Sequence, residues 1–174
     1  KNNNNMRMIL EKCTKEDFEN YYFLKCDSEN ILWAGHKIAP DKEKLYLWFK
    51  EQLKRKDRIM FLAKSNNDQN IPLGYLYLDI IGIAGDCVEI SYGVYSKFVD
   101  QGIGTKIIKF AIDYCTNNLE HIKNIIGWVA IDNIRSVKCF RKNKFAETNE
   151  TKKIFFKGFN QEVSVKKFIY VIKI

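Results

Sequence analysis

A chain of 174 residues, 46% hydrophobic and 14% aromatic, has the length and apolar content of one globular domain and is not a disordered segment. No apolar run approaches the ~20 residues of a membrane span, so no membrane-crossing helix is expected. The net charge of +8 is uneven, with 14 basic against 13 acidic side chains in residues 1–87 and 15 against 8 in residues 88–174. A basic half attracts nucleic acid, anionic lipid or a phosphorylated small molecule, although a lysine-rich solvated surface explains it as well. The opening KNNNN lacks the basic-then-apolar layout of a leader. Residues 1–7 are therefore expected to be a disordered or added start, and residues 8–174 a single domain. Five cysteines (Cys13, Cys26, Cys87, Cys115, Cys139), odd in number and without C-x-x-C spacing, read as small apolar residues of a cytoplasmic protein. Two histidines, His36 and His121, argue against a histidine-rich metal centre, and no metal is expected.

In chain order, a weak strand around Met8 is followed by TKEDFENYYFLKC, where Thr14 caps a helix with acids in its first turn. Asp41 caps a second helix, whose Leu45, Trp48, Phe49 and Leu53 recur at helical spacing on one face. RIMFLAK and IPLGYLYLDIIGI are β-rich and joined by the turn-like SNNDQN, which predicts a hairpin, and CVEISYGVY is a third strand. After Gly102 and Gly104, Ile107, Ile108, Ala111, Ile112 and Cys115 form an apolar helical stripe. IIGWVAI is again a strand, and DNIRSVKCFRKN a helix with Asp132 or Asn133 near its start. KIFFKGF and VSVKKFIYVIKI close the chain as two strands. Consecutive strands argue against a doubly wound parallel sheet. The strand–helix–strand unit over 87–131 predicts a right-handed crossover between two parallel strands.

The pair Gly102 and Gly104 frees the backbone just before a helix, where the first-turn amides and the positive end of the helix dipole suit an anion such as a pyrophosphate. Neither a Walker loop nor a G-x-G-x-x-G fingerprint is present. On its own the pair reads equally as a plain strand–helix turn.

The surroundings of the pair carry a resemblance. EISYGVYSKFVDQGIGTKIIKFAIDYC, followed by IIGWVAIDNIRSVKCFRKNKF, is similar to the GNAT superfamily, the acetyl-CoA-dependent N-acetyltransferases, and the likeness extends from about Met8 to Ile174. The first stretch resembles the family's central strand, its Q/R-x-x-G-x-G/A loop and the helix after it. The second resembles its next strand and N-x-x-S-x-x-x-[FY], with Asn133 31 residues after Gly102. The resemblance implies an α+β fold with a mixed, mostly antiparallel sheet of six to seven strands and about four helices. It also implies acetyl-CoA as cosubstrate and direct attack of a primary amine on its thioester. It implies cofactor contacts from Val94, Gln101, Gly102, Ile103, Gly104, Thr105, Asn133, Ser136 and Phe140, with Arg135, Lys138, Arg141 and Lys142 as candidates for the adenosine 3′-phosphate.

Four positions depart from the family pattern. Val99 stands where Gln or Arg is usual, Gln101 where Lys or Arg is frequent, Lys144 where glycine is usual, and Phe140 where many members have a proton-donating tyrosine. The acid is then expected from Tyr92, Tyr95, Ser136 or solvent, with Tyr95 preferred. An oxyanion donor is expected past a bulge in the central strand, around Val94 or Tyr95. Glu89, 13 residues before Gly102, is the favoured base, with Asp79 second. Glu89 is equally readable as an exposed strand residue paired with a lysine. Asn133 and Ser136 are readable as a helix cap.

The acceptor is expected to be set by ENILWAGHKIAP and residues 152–162, with Trp33, Tyr46 and Trp48 as pocket candidates, although Trp48 on a helix stripe suits a core. The resemblance points to an amino sugar, free or nucleotide-linked, or to a protein N-terminus, and to a monomer or homodimer. Outside catalysis, the competing reading is a CoA-binding regulatory domain without turnover. Membrane and nucleic-acid partners are not expected, because KKIFFKGF is the one stretch interleaving aromatics with lysine and strand alternation explains it better.

Overall fold

Strands β1 (Met8–Lys12), β2 (Arg58–Ser65), β3 (Pro72–Ile81), β4 (Cys87–Val94), β5 (Asn124–Ala130), β6 (Ala146–Phe156) and β7 (Gln161–Val171) form one sheet in the order β1-β2-β3-β4-β5-β7-β6. The computed structural model describes residues 7–66 and 71–173. The expected unstructured start falls almost wholly outside the described residues, as does most of the turn SNNDQN. Among the described residues five α-helices accompany the sheet: α1 (Phe18–Lys25), α2 (Ser28–Trp33), α3 (Lys42–Lys54), α4 (Ile103–Asn118) and α5 (Ile134–Lys142). Every neighbouring strand pair is antiparallel except β4–β5. That is the expected mixed sheet, with the parallel pair joined through α4 as the crossover predicts.

Strand β3 is buried along most of its length because the sheet is covered on both faces. On one face α4 and α5 close a core that includes Leu76, Leu78, Val88, Ile90, Ile107, Ile108 and Phe140. On the other face α1 and α3 bring Phe18, Tyr21, Leu24 and Phe49 onto Met60, Leu62, Tyr75 and Tyr77. Period-2 alternation therefore sends Tyr92 and Val94 toward α4, and Glu89 and Ser91 toward the α1–α3 face.

The structure alters three sequence expectations. Helix α2 is not among the helices expected from the sequence; Asp27 caps it by accepting from the Asn30 amide at 3.3 Å, but six residues are too few for a visible period. On α3 the core residue is Phe49, fully buried, whereas Trp48 is 38% exposed and receives the Arg58 guanidinium over its ring. Strand β6 begins at Ala146 and not near Lys153, since ten of its eleven residues are at least partly exposed and show no alternation to read.

The parallel pairing of β4 with β5 runs only from Cys87↔Asn124 to Glu89↔Ile126. Beyond it β4 stays with β3 as far as Gly74↔Val94, while β5 stays with β7 as far as Ala130↔Val165. The centre of the sheet thus opens into a V.

Candidate active site

The V is floored by backbone. The Tyr95 amide donates to the Leu73 carbonyl at 2.8 Å, continuing the β3–β4 register without a shift. The bulge expected around Val94 is therefore absent, and the Tyr95 amide is already engaged. Alternate residues of an antiparallel strand turn their polar groups to opposite sides, so the amides of Tyr92 and Val94 face the gap toward β5.

One cleft, about 350 Å³, runs from this gap to the start of α4 and is lined by Val94, Val99, Asp100, Gly102, Ile103, Gly104, Thr105, Asn133, Ser136 and basic residues of α5. Gly102 caps α4 in the left-handed region, at φ +79°, with open space where a Cβ would stand. No side chain caps this helix, and the Lys106 amide donates to the Gly102 carbonyl at 3.1 Å. The amides of Ile103, Gly104 and Thr105 thus remain at the positive end of a 16-residue helix, which suits an anion. Gly104 lines the same cleft, and its missing side chain also has a packing reason. A Cβ there would lie 3.0 Å from Cys139 Sγ and 3.2 Å from Tyr92 Cε2, so glycine lets α4 pack on α5 and β4.

Of the α5 cations expected near a phosphate, Arg135, Lys138 and Lys142 line this cleft. Arg135 also lies 3.5 Å from Asp100. Arg141 instead pairs with Glu147 outside it. Gln101 is exposed and outside the lining, so of the loop residues read as contacts it is the one not brought to the cleft. Asn143 ties the two helices together, its amide donating to the carbonyls of Thr105 at 3.0 Å and Cys139 at 2.9 Å.

A second cavity, about 720 Å³, opens on the α1–α3 face. Trp33, Trp48, Tyr75, Tyr77, Trp128 and Phe156 line it, with Lys25, His36 and Arg58 as its charged or titratable members besides tyrosine. Tyr46 is not part of it and packs on Phe18. Phe140, expected at the cofactor, lines this cavity and not the first cleft. Its ring lies so close to β5 that a Cβ on Gly127 would be 2.6 Å from it.

Asn30, Trp33, Tyr92, Asn133 and Ser136 line both spaces and mark their junction. There the Tyr92 hydroxyl and Ser136 Oγ lie 2.9 Å apart. Asn133 accepts from the Ser136 amide at 3.3 Å, so the cap reading and the site reading of this pair hold together. Burial raises the Tyr92 phenol well above the ordinary tyrosine range, and it stays protonated at working pH. Its ring centroid is 6.1 Å from that of Phe140, so a hydroxyl from β4 stands beside the position where one from α5 is missing.

Tyr95 is not brought to this junction. Its ring packs against Phe23 and Phe98, and it lines neither space. Asp79 is buried in a two-pronged ion pair with Arg58, at 2.6 and 2.9 Å. Glu89 is its cross-strand partner and lies two residues from the cavity-lining Ser91, on the same face of β4. Burial first, then the Asp79 charge, raises the Glu89 carboxyl above its ordinary value. Sequence reasoning missed Asn30 and Lys25, because their part in the site depends on how α1 and α2 lie on the sheet.

A family model described as an acetyltransferase (GNAT) domain matches residues 7–146. No curated protein sequence matches the chain. Among solved structures, a spermidine N-acetyltransferase from Vibrio cholerae in complex with CoA and spermine aligns with TM-score 0.81 at 16% identity, covering 94% of this chain and 95% of that one. A form of the Vibrio cholerae spermidine/spermine N-acetyltransferase with manganese ions aligns with TM-score 0.76 at 17% identity, covering 95% and 92%.

Proposed function

The chain belongs to the GNAT acetyltransferase family, and on that premise we propose that it transfers an acetyl group from acetyl-CoA to a primary amine entering from the second cavity. The observation that carries this reading is the junction, where Tyr92 and Ser136 share one hydrogen bond between an anion-suited cleft and an aromatic cavity. The amides of Ile103, Gly104 and Thr105, the Thr105 hydroxyl, and the cations Arg135, Lys138 and Lys142 fit the phosphates of the cosubstrate. When bound, acetyl-CoA supplies an activated acetyl thioester.

The chain's own groups do the rest. Val94 turns its amide into the gap, where it can donate to the thioester oxygen as that oxygen gains charge. This donor replaces the Tyr95 amide, which is engaged with Leu73. Tyr92, protonated and bonded to Ser136, donates a proton to the departing sulfur. Glu89, with its raised carboxyl, draws the proton from the acceptor ammonium through water beside Ser91. The Lys25 ammonium, pushed down to about 8 by burial in the same cavity, illustrates how that environment favours the neutral amine that must attack.

The acceptor is a small amine of the amino-sugar class, free or nucleotide-linked, in keeping with spermidine, a small amine, being named for the structural relatives. The test is free-thiol release from acetyl-CoA across a panel of amines. Turnover with glucosamine or its nucleotide-linked forms supports the reading. Saturable acetyl-CoA binding without thiol release on any amine overturns it in favour of a regulatory domain.

A further inference from the structure

Charge in the second cavity is one-sided. Twenty-five residues line it and none is Asp or Glu. Arg58 is neutralised by Asp79, but Lys25 has no carboxylate within ion-pair distance among the described residues. Its ammonium lies half-buried, 5.0 Å over the Tyr75 ring. Burial first, then the charges of Lys25 and Lys157, disfavour the protonated form of His36. Lys25 from α1 and His36 from the turn after α2 thus line the cavity, and Lys157, in the turn after β6, is bonded through its amide to the carbonyl of Gly35, the residue before His36, at 3.1 Å.

A second observation points the same way. An aromatic cavity could in principle hold a polycation through ring faces. Here four of the lining rings already carry the chain's own cations: Lys25 over Tyr75, Arg58 over Trp48 and Tyr77, and Lys152 over Trp128 at 4.1 Å. A second or third ammonium on the acceptor would meet like charge. An acidic group would instead relieve a half-buried, unpaired ammonium, a state that burial alone already penalises.

We propose that Lys25, with His36 and Lys157, forms a subsite for an anionic group of the acceptor, a carboxylate or a phosphate, so that the substrate is an acid-bearing primary amine and not a polyamine. The inference rests on the acetyl-transfer reading for the amine, while the anion subsite stands on Lys25 and its surroundings.

The experiment compares matched acceptors by thiol release: glucosamine 6-phosphate against glucosamine, L-lysine against L-lysinamide, and spermidine. An advantage of about tenfold or more in kcat/KM for the acidic member is expected, and the pair that shows it tells phosphate from carboxylate. Lys25→Met should raise KM for that acceptor by about thirtyfold or more, the loss usual when one partner of a buried charge pair is removed. Its acetyl-CoA affinity should stay unchanged. Labelling of wild-type Lys25 by trinitrobenzenesulfonate, read by mass spectrometry, gives an independent readout: glucosamine 6-phosphate or lysine should protect it and glucosamine should not. Equal protection by neutral and acidic members overturns the subsite, as does a kcat/KM for spermidine above every acidic acceptor. If no amine releases thiol, the acetyl-transfer reading falls, and the labelling result alone decides the subsite.

Discussion

The two spaces that meet at Tyr92 are built from different material. The smaller cleft presents main-chain groups, the α4 amides behind Gly102 and the Val94 amide where β4 parts from β5, beside cations of α5. The larger cavity is made of side chains from α1, α2, α3, the middle strands and the β6–β7 hairpin. A main-chain site binds a group that never changes, and it tolerates much side-chain variation as long as the turn survives. A side-chain site is free to change its ligand with a few substitutions. The structural relatives at 16–17% identity share the fold, and the contrast locates where specificity can diverge.

The largest test of the contrast falls on the junction. Tyr92→Phe should lower kcat by about a hundredfold or more, the usual worth of a positioned acid, and leave acetyl-CoA affinity nearly unchanged. A loss of affinity with kcat preserved would make Tyr92 a wall of the cleft and return the acid to solvent. Glu89→Gln should follow, with a fall in kcat of about a hundredfold at neutral pH, at the low end for a base acting through water. Burial and Asp79 hold the Glu89 carboxyl above 4.5 in the fold. The folded chain therefore binds that proton more readily than the unfolded chain. Its contribution to stability is present below pH 4.5 and is lost as pH rises through the raised value. At pH 7 the variant should keep or slightly raise its Tm, while the acid limb of kcat/KM disappears. Wild-type kcat in the variant would remove Glu89 as the base.

Gly104→Val tests the cleft itself. The added side chain must displace Cys139 or Tyr92 from contacts of 3.0 and 3.2 Å, a strain of about 1–3 kcal/mol. Acetyl-CoA affinity should fall about tenfold as α4 is pushed from α5, and KM for the acceptor should change less. Full affinity in a folded variant would separate the loop from the cosubstrate.

The same difference in material governs what could be read from the sequence. The glycine pair, the strand before it and Asn133 with Ser136 lie in two short contiguous segments, so their meeting at one cleft and their parallel crossover were legible. Glu89 was legible only as a candidate, because its value depends on its distance from the cavity. The preference for Tyr95 over Tyr92 was misplaced, since it presumed a bulge, and the unshifted register brings Tyr92 and not Tyr95 to Ser136. Lys25 and Asn30 were hidden because their significance arises from the meeting of α1 and α2 with the centre of the sheet. A single chain's periodicity does not reveal such a meeting.

A departure that looked functional offers the smallest and cleanest test. Lys144 stands where glycine is usual, and it adopts φ +63° just after Asn143 closes α5. Its amide donates to the Arg141 carbonyl at 2.9 Å, and the next amide, of Phe145, reaches the Phe140 carbonyl at 3.1 Å. That is a left-handed helix end, where glycine avoids a Cβ clash worth about 1–2 kcal/mol. The greater freedom of glycine in the unfolded chain returns part of that gain. Lys144→Gly should therefore stabilise the fold by about 0.5–1 kcal/mol, raising Tm by roughly 1–4 °C for a chain of this size. Neither acetyl-CoA affinity nor acceptor KM should move, because Lys144 lines neither space. A change in either constant without a change in Tm would mean that the lysine acts on a ligand and that the cleft extends past the end of α5.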